Sequence, residues 1–236
     1  MRRLCVVCAR GGSRGLPNKN IRNLAGLPLI VHTIKQAFAT ELFDAVAVSS
    51  DSAEILDTAR SAGVALLIKR PDPLATDSSA KGPSVVHCVE VAEARLKTKF
   101  DTVVDLDVTS PLRETNDIVK AVVKLEDSGA PNLFSVCESH RSPYFNLVEI
   151  NKDGEVRLVR SLPDKVKRRQ DAPICYDMNA SIYVWRRDAL GTGEDNLFKM
   201  GTEVIVMPRE RSIDIDSKLD FEIVEFLYSR ARVETL

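Results

Sequence analysis

The sequence predicts an α/β fold built on a mostly parallel sheet, and three observations lead there. Short apolar runs rich in β-branched residues alternate with amphipathic stretches through the first half of the chain. The connections between them are short, as in successive β-α-β units with right-handed crossovers. A glycine-rich turn, Gly11-Gly12-Ser13-Arg14-Gly15, follows directly on the first of the apolar runs. At 236 residues, 44% apolar and 28% charged, the chain suits a single domain, residues 1–236, with a modest insertion. A net charge of −1 offers no general attraction to nucleic acid or to a membrane surface, so the cations that matter act locally. No apolar run reaches the length of a membrane span, and Met1-Arg2-Arg3-Leu4 leads straight into a strand; a cytoplasmic protein without a signal peptide is expected.

The elements follow in order. Leu4-Cys5-Val6-Val7-Cys8 is a buried strand, and Asn23-Leu24-Ala25-Gly26-Leu27-Pro28 is a turn. Leu29, Ile30, Ile34, Ala37 and Phe38 mark the apolar face of a first helix that Pro28 opens. A strand at 45–49 precedes a helix at 53–62, capped by Ser50-Asp51-Ser52 and stopped by Gly63. A strand at 64–68 leads into a proline-rich loop at 71–83, then a helix at 84–97 and a strand at 102–107. A helix at 116–127 ends at Gly129, and a strand spans 132–137. From 140 to 177 the character changes. Two strand-like runs flank Asn151-Lys152-Asp153-Gly154, and a basic stretch, Lys165-Val166-Lys167-Arg168-Arg169-Gln170, follows. An antiparallel hairpin here is an inserted arm, one that covers a site or pairs with a second subunit. Strands at 179–185 and 203–207 and a helix at 218–230 complete the chain.

The five cysteines are odd in number and scattered. Cys5 and Cys8 fall on opposite faces of a strand, so reduced core thiols are expected rather than a metal or redox pair. His32, His87 and His140 have neither metal nor triad spacing.

Chemistry concentrates in three places. In Ala9-Arg10-Gly11-Gly12-Ser13-Arg14-Gly15-Leu16-Pro17-Asn18-Lys19-Asn20 the glycines bring backbone N–H groups close to an anion, and Arg10, Arg14 and Lys19 supply cations. That combination suits a triphosphate whose leaving pyrophosphate needs its charge neutralised. It matches neither the P-loop nor the dinucleotide fingerprint. Arg70, Ser78, Ser79 and Lys81 lie in the loop after the third strand, where parallel sheets place ligands. Asp107 ends the fourth strand before Val108-Thr109-Ser110-Pro111-Leu112-Arg113, as a metal or hydroxyl ligand or as a cap for the helix near Glu114. In Ser212-Ile213-Asp214-Ile215-Asp216, two carboxylates alternate around a buried isoleucine. Their spacing suits Mg²⁺ on triphosphate oxygens; the plainer alternative is that Asp216 or Ser217 caps the last helix.

Together with Arg169-Gln170, these stretches resemble the acylneuraminate cytidylyltransferase family, the CMP-sialic acid synthetases, in order and spacing over essentially the whole chain. The resemblance implies a Rossmann-like nucleotidyltransferase fold, a mostly parallel sheet with helices on both faces, and a homodimer formed through the inserted β arm. It implies transfer of CMP from CTP, with Mg²⁺, to the anomeric hydroxyl of a nine-carbon 2-keto acid, a nonulosonic acid, with loss of pyrophosphate. Carried over by position, Arg10, Gly11, Gly12, Ser13, Arg14 and Lys19 hold the triphosphate, and Asn20, Arg70, Ser79 and Lys81 the nucleoside. Asp214 and Asp216 take the metal. Arg169 reaches the sugar carboxylate from the partner subunit, and Asp107, Tyr183 and Phe198 face the sugar. Asp107 either deprotonates the attacking hydroxyl or completes the metal shell.

The chain departs from the family's usual pattern at several of these positions. Asp107-Val108 stands for Gln-Pro, the glutamine being a sugar contact; Lys81 stands for a serine that helps read cytosine; Phe145 stands for a lysine of the arm. Tyr176-Asp177-Met178-Asn179-Ala180-Ser181-Ile182-Tyr183 replaces Arg-Pro-Asn-Gly-Ala-Ile-Tyr. These changes are more like the legionaminic acid branch, some of whose members use GTP. GMP transfer and a catalytically silent nucleotide-binding protein are the alternatives.

Overall fold

The computed structural model describes residues 1–12, 15–76, 79–162, 168–191 and 197–233. Its centre is a seven-stranded sheet whose strands, in chain order, are β1 (Arg3–Cys8), β4 (Ala45–Ser50), β5 (Leu66–Lys69), β6 (Thr102–Leu106), β7 (Asn132–Glu138), β10 (Tyr176–Arg186) and β11 (Glu203–Val206). Their spatial order is β11-β7-β10-β6-β1-β4-β5. All pairs are parallel except those of β10, which runs antiparallel to both β6 and β7.

Burial explains the composition. β1 is flanked by strands on both edges and packed on both faces, so Leu4, Cys5, Val6 and Val7 are all buried, and alternation is absent. Helices α1 (Leu29–Ala39), α2 (Ala53–Ser61), α4 (Thr115–Ser128) and α5 (Lys218–Val233) contribute to one core cluster, around Ile34, Ile55, Ile118, Leu125 and Val224. Helix α3 (Lys81–Leu96) packs Val85, Cys88, Val89 and Ala92 into the other, with Phe134, Tyr183 and Trp185. Each fully buried aliphatic side chain of this kind contributes roughly 1.5–3 kcal/mol. All five cysteines are free, and Cys5 and Cys8 belong to opposite layers, as the strand period requires.

Three local differences from the sequence expectation have physical causes. The turn at 23–28 closes as a small hairpin, β2 (Asn23–Leu24) with β3 (Leu27–Pro28), because Ala25 and Gly26 both take positive φ. Phe38, expected on the buried face of α1, is largely exposed near the helix's end. Helix α3 begins at Lys81, not at 84, because Pro83 occupies the first turn, where its missing N–H has no intrahelical acceptor.

Between β7 and β10 the chain leaves the sheet. The excursion is closed at its base by the Ser139 N–H donating to the Cys175 carbonyl at 2.9 Å, and it carries a separate hairpin, β8 (Val148–Ile150) and β9 (Val156–Leu158). Gly154 supplies the positive φ at the hairpin's turn. Lys165, Val166 and Lys167 of the basic stretch lie outside the described residues. No helix of the described residues is long and apolar enough to cross a membrane.

Candidate active site

Crossovers from β1 run outward to β4 and β5, while the chain returns to place β6 on β1's other side. Such a reversal opens a crevice at the carboxyl ends of the strands. The loop after β1, the loop after β5 and the end of β6 all meet there, around a cavity of about 560 Å³.

The loop after β1 is shaped by specific bonds. The Gly11 N–H donates to Asp51 Oδ1 at 2.9 Å, and the buried Asn20 amide donates to the Arg10 carbonyl at 2.9 Å. Arg10 Nη1 crosses to the Thr76 carbonyl at 3.1 Å, tying this loop to the one after β5. None of the described glycines here sits in the left-handed region, so freedom of φ is not what the loop requires. Close approach is. A Cβ on Gly15 would lie 2.2 Å from the Asp216 carbonyl oxygen, and one on Gly11 3.0 Å from Ser52 Cβ. Gly12 meets nothing within 4 Å, leaving its backbone face open. Ser13 and Arg14 lie outside the described residues, as does Ser78.

Gly15 is thus where the N-terminal loop touches the Asp-Ile-Asp segment two hundred residues later. Lys19 Nζ adds two bonds across the same contact, to the Ile215 carbonyl at 2.7 Å and to Asp216 Oδ1 at 3.0 Å. The buried Ile215 anchors the segment, its N–H donating to the Thr109 carbonyl at 3.0 Å. Asp214 and Asp216 both border the cavity with Arg10, Lys19 and Asp107. Asp216 is 77% exposed, whereas Asp214 Oδ1 is buried with no partner among the described residues. Burial pushes Asp214 up to about 6 against the Thr109 hydroxyl, and the neighbouring Asp107 and Asp216 add to the rise. Helix α5 is capped separately, by Ser217 and Asp220 bonding each other's groups reciprocally, so the carboxylates of 214 and 216 are spared that task.

An orphaned carboxylate oxygen beside an exposed second carboxylate fits a hard divalent cation such as Mg²⁺, with phosphate and water oxygens completing the shell. Among the described residues no group of three or more His, Cys, Asp or Glu side chains is arranged to hold a metal ion.

On the far wall Asp107 does not cap the next helix; Glu114 and Asp117 form that capping box themselves. Its Oδ1 accepts from the Thr109 N–H at 3.1 Å and hydroxyl at 2.8 Å, and its Oδ2 accepts from Lys81 Nζ at 2.7 Å. Burial alone would raise Asp107, but the ammonium and the Thr109 donors hold it down to about 2. Arg70, buried after β5, is held by the Ser49 carbonyl at 3.0 Å, and Ser79 closes its loop through Thr76 Oγ1 at 2.6 Å and the Pro73 carbonyl at 2.9 Å. Both border the cavity.

Two residues the sequence reading left without a role are structural to this wall. Arg113 is buried and donates to the carbonyls of Ser181 at 2.6 Å and Asp107 at 3.3 Å, fixing β10 against the end of β6. Asp105 lies wholly buried behind Asp107. A charged position inside an apolar run was the sequence signal for Asp105, and Arg113 ends the Val108-Thr109-Ser110-Pro111-Leu112-Arg113 stretch.

The expected sugar residues are more dispersed. Tyr183 is buried, stacked on Trp185 at 5.8 Å, and Phe198 is 64% exposed against Phe134 at 5.8 Å; the two flank Phe134 rather than share a wall. Arg169 donates to the Ser139 carbonyl at 3.2 Å and borders a separate depression with Glu138, His140 and Arg209.

Residues 4–228 match the family model described as cytidylyltransferase. The CMP-N,N'-diacetyllegionaminic acid synthase of Campylobacter jejuni is 43% identical over 226 residues, covering 96% of this chain and 94% of that protein. The post-translational flagellin modification protein B of Campylobacter coli is 41% identical over 231 residues, 98% of this chain and 97% of that one. Among solved structures, a CMP:2-keto-3-deoxy-manno-octonic acid synthetase complexed with CTP superposes with a TM-score of 0.72 at 18% identity, over 98% of this chain and all of that one. At that identity the likeness speaks for the fold.

Proposed function

The chain belongs to the cytidylyltransferase family, and from that premise we propose that it joins CMP from CTP to the anomeric hydroxyl of a nonulosonic acid of the legionaminate type, releasing pyrophosphate. The observation that carries this reading is the meeting of the N-terminal loop with Asp214-Ile215-Asp216 at one cavity, through Gly15 and Lys19.

Arg10, Lys19 and Arg14 receive the triphosphate, and their charge stabilises the departing pyrophosphate in an in-line displacement at the α-phosphorus. Gly11 and Gly12 let the backbone approach it. Asp214 and Asp216 would hold Mg²⁺, which when bound polarises the α-phosphate and masks part of the triphosphate charge. Asn20, Arg70 and Ser79 border the same cavity and would hold the nucleoside. Asp107, kept ionised by the Lys81 ammonium and the Thr109 donors, accepts a hydrogen bond from the sugar and orients it. The exposed apolar hairpin and the position of Arg169 away from its own cavity favour a homodimer whose arms complete each other's sugar sites. The substrates are those of cytoplasmic sugar activation.

Incubation with each of four NTPs, Mg²⁺ and N,N'-diacetyllegionaminic or N-acetylneuraminic acid tests this through pyrophosphate release. CTP with the legionaminic acid is expected to turn over. Release from GTP alone would make the chain a guanylyltransferase, and Lys19→Ala should abolish release while leaving the fold intact.

A further inference from the structure

The two positions where the cavity wall departs most in charge from the family's usual residues, 81 and 107, are in direct contact. Lys81 Nζ lies 2.7 Å from Asp107 Oδ2 and 2.6 Å from Asp105 Oδ2, with the ring of Tyr183 5.0 Å below it. The helix that carries Lys81 starts beside the loop after β5, on the side of Arg70 and Ser79. The ammonium, however, is directed at Asp105 and Asp107 of the β6 end and at Tyr183 of β10.

The cluster has an electrostatic logic. A triphosphate and a sugar carboxylate bring about five negative charges into the crevice, and a bare carboxylate on its wall would repel both. Shared between Asp105 and Asp107, the Lys81 ammonium offsets one carboxylate charge on that wall while Asp107 still presents an acceptor. The Thr109 donors fix its orientation. Lys81 remains 35% exposed at the cavity, so the compensated pair faces the ligand rather than the core.

We propose that Lys81 and Asp107 form a coupled specificity pair for the acid sugar, and that Lys81 does not read the nucleobase. The pair selects a sugar that places a hydroxyl or acylamino N–H donor against Asp107. Lys81 acts as a positioning residue that keeps this carboxylate compatible with anionic substrates. The inference rests on the cytidylyl transfer proposed above.

The test is a double-mutant cycle on pyrophosphate release with Lys81→Ser, Asp107→Gln and the pair together, varying nucleotide and sugar separately, and with CTP affinity measured by calorimetry. Each single variant is expected to raise the KM for N,N'-diacetyllegionaminic acid by about tenfold or more while the KM and Kd for CTP stay within about twofold. The double variant is expected to recover much of the loss and to change the preference between legionaminic and N-acetylneuraminic acid by about tenfold. Lys81→Arg, which keeps the charge, should bind CTP normally and stay nearer wild type in sugar KM than Lys81→Ser does. A rise in CTP KM with sugar KM unchanged would assign the lysine to the base and overturn the inference, as would losses that simply add in the double variant. Wild-type protein that binds neither CTP nor sugar would sink the transfer reaction itself, and this pair with it.

Discussion

Asp214 shows how a site residue can work against the fold that holds it. Burial raises it to about 6 from an ordinary 3.8, so in the ligand-free protein its ionised form is disfavoured. The sign follows directly. Below about pH 4 the group is protonated in both the folded and the unfolded chain and has no effect. As pH rises from there through 6, the unfolded chain releases its proton more readily, and the folded state loses stability. Asp214→Asn removes that penalty. It is expected to make the ligand-free protein roughly 1–3 kcal/mol more stable at pH 8, with little gain at pH 4. The same variant should lose most pyrophosphate release, since a carboxamide cannot replace an anionic metal ligand. Urea denaturation at the two pH values, beside the release assay, checks both halves. Equal stability of wild type and variant at pH 8 would mean that the carboxylate is solvated after all.

At the scale of elements, the approach to Asp214 is held by the start of α4. Arg211 bonds Asp117 with both ends of its guanidinium, Nε to Oδ2 at 3.1 Å and Nη2 to Oδ1 at 2.8 Å. Asp117 also accepts the Glu114 N–H at 3.0 Å, so one buried carboxylate caps a helix and anchors the segment that ends in Asp214-Ile215-Asp216. Asp117→Ala should cost roughly 2–4 kcal/mol by urea denaturation, because it loses the cap and strands a partly buried arginine. Asp117→Asn keeps the cap and should cost less; a loss as large as alanine's would put the ion pair, not the cap, in charge. The sequence made much of this architecture legible. Continuous apolar runs marked β1, β4 and β6, and helical periods with Gly63 and Gly129 marked where α2 and α4 stop. The glycine loop and the Asp-Ile-Asp segment were visible as chemistry, but nothing local could say that Gly15 is a glycine because Asp216 packs against it. Lys81 was read as part of the loop ahead of the helix for a local reason: Pro83 reads as a helix breaker. In the first turn of α3 a proline is tolerated, and the lysine instead projects onto Asp105 and Asp107. The role of Arg113 was unreadable because a buried arginine bonded to Asp107 and, from distant parts of the chain, to Ser181 and Gln36 has no periodic or pairing signature.

At the scale of the whole molecule, no described residue of the arm lines the cavity that Arg10 and Asp107 share. The arm's hairpin exposes Ile150 at 71% and Val156 at 66%, an apolar surface that a two-stranded sheet cannot bury by itself. Arg169 borders a depression at the arm's base and is absent from the wall of the cavity that Arg10 and Asp107 share. If this arginine meets a sugar carboxylate, the sugar is bound in another subunit, and activity must be separable into two halves of a dimer. Lys19→Ala disables the site of its own chain, and Arg169→Ala disables the site of the partner. Each variant alone should therefore be inactive, although both still dimerise. Mixed after reversible dissociation, half of the dimers are heterodimers, and each of these rebuilds one intact site from an unmutated Lys19 and an unmutated Arg169. Recovery of about a quarter of wild-type pyrophosphate release is expected, the share that a two-fold assembly dictates. Ile150→Glu with Val156→Glu should remove the recovery by leaving monomers that still bind CTP, seen by light scattering and calorimetry. No recovery from a mixture shown to contain heterodimers would place Arg169 in its own subunit's chemistry, and the arm would then be a lid on a monomeric site.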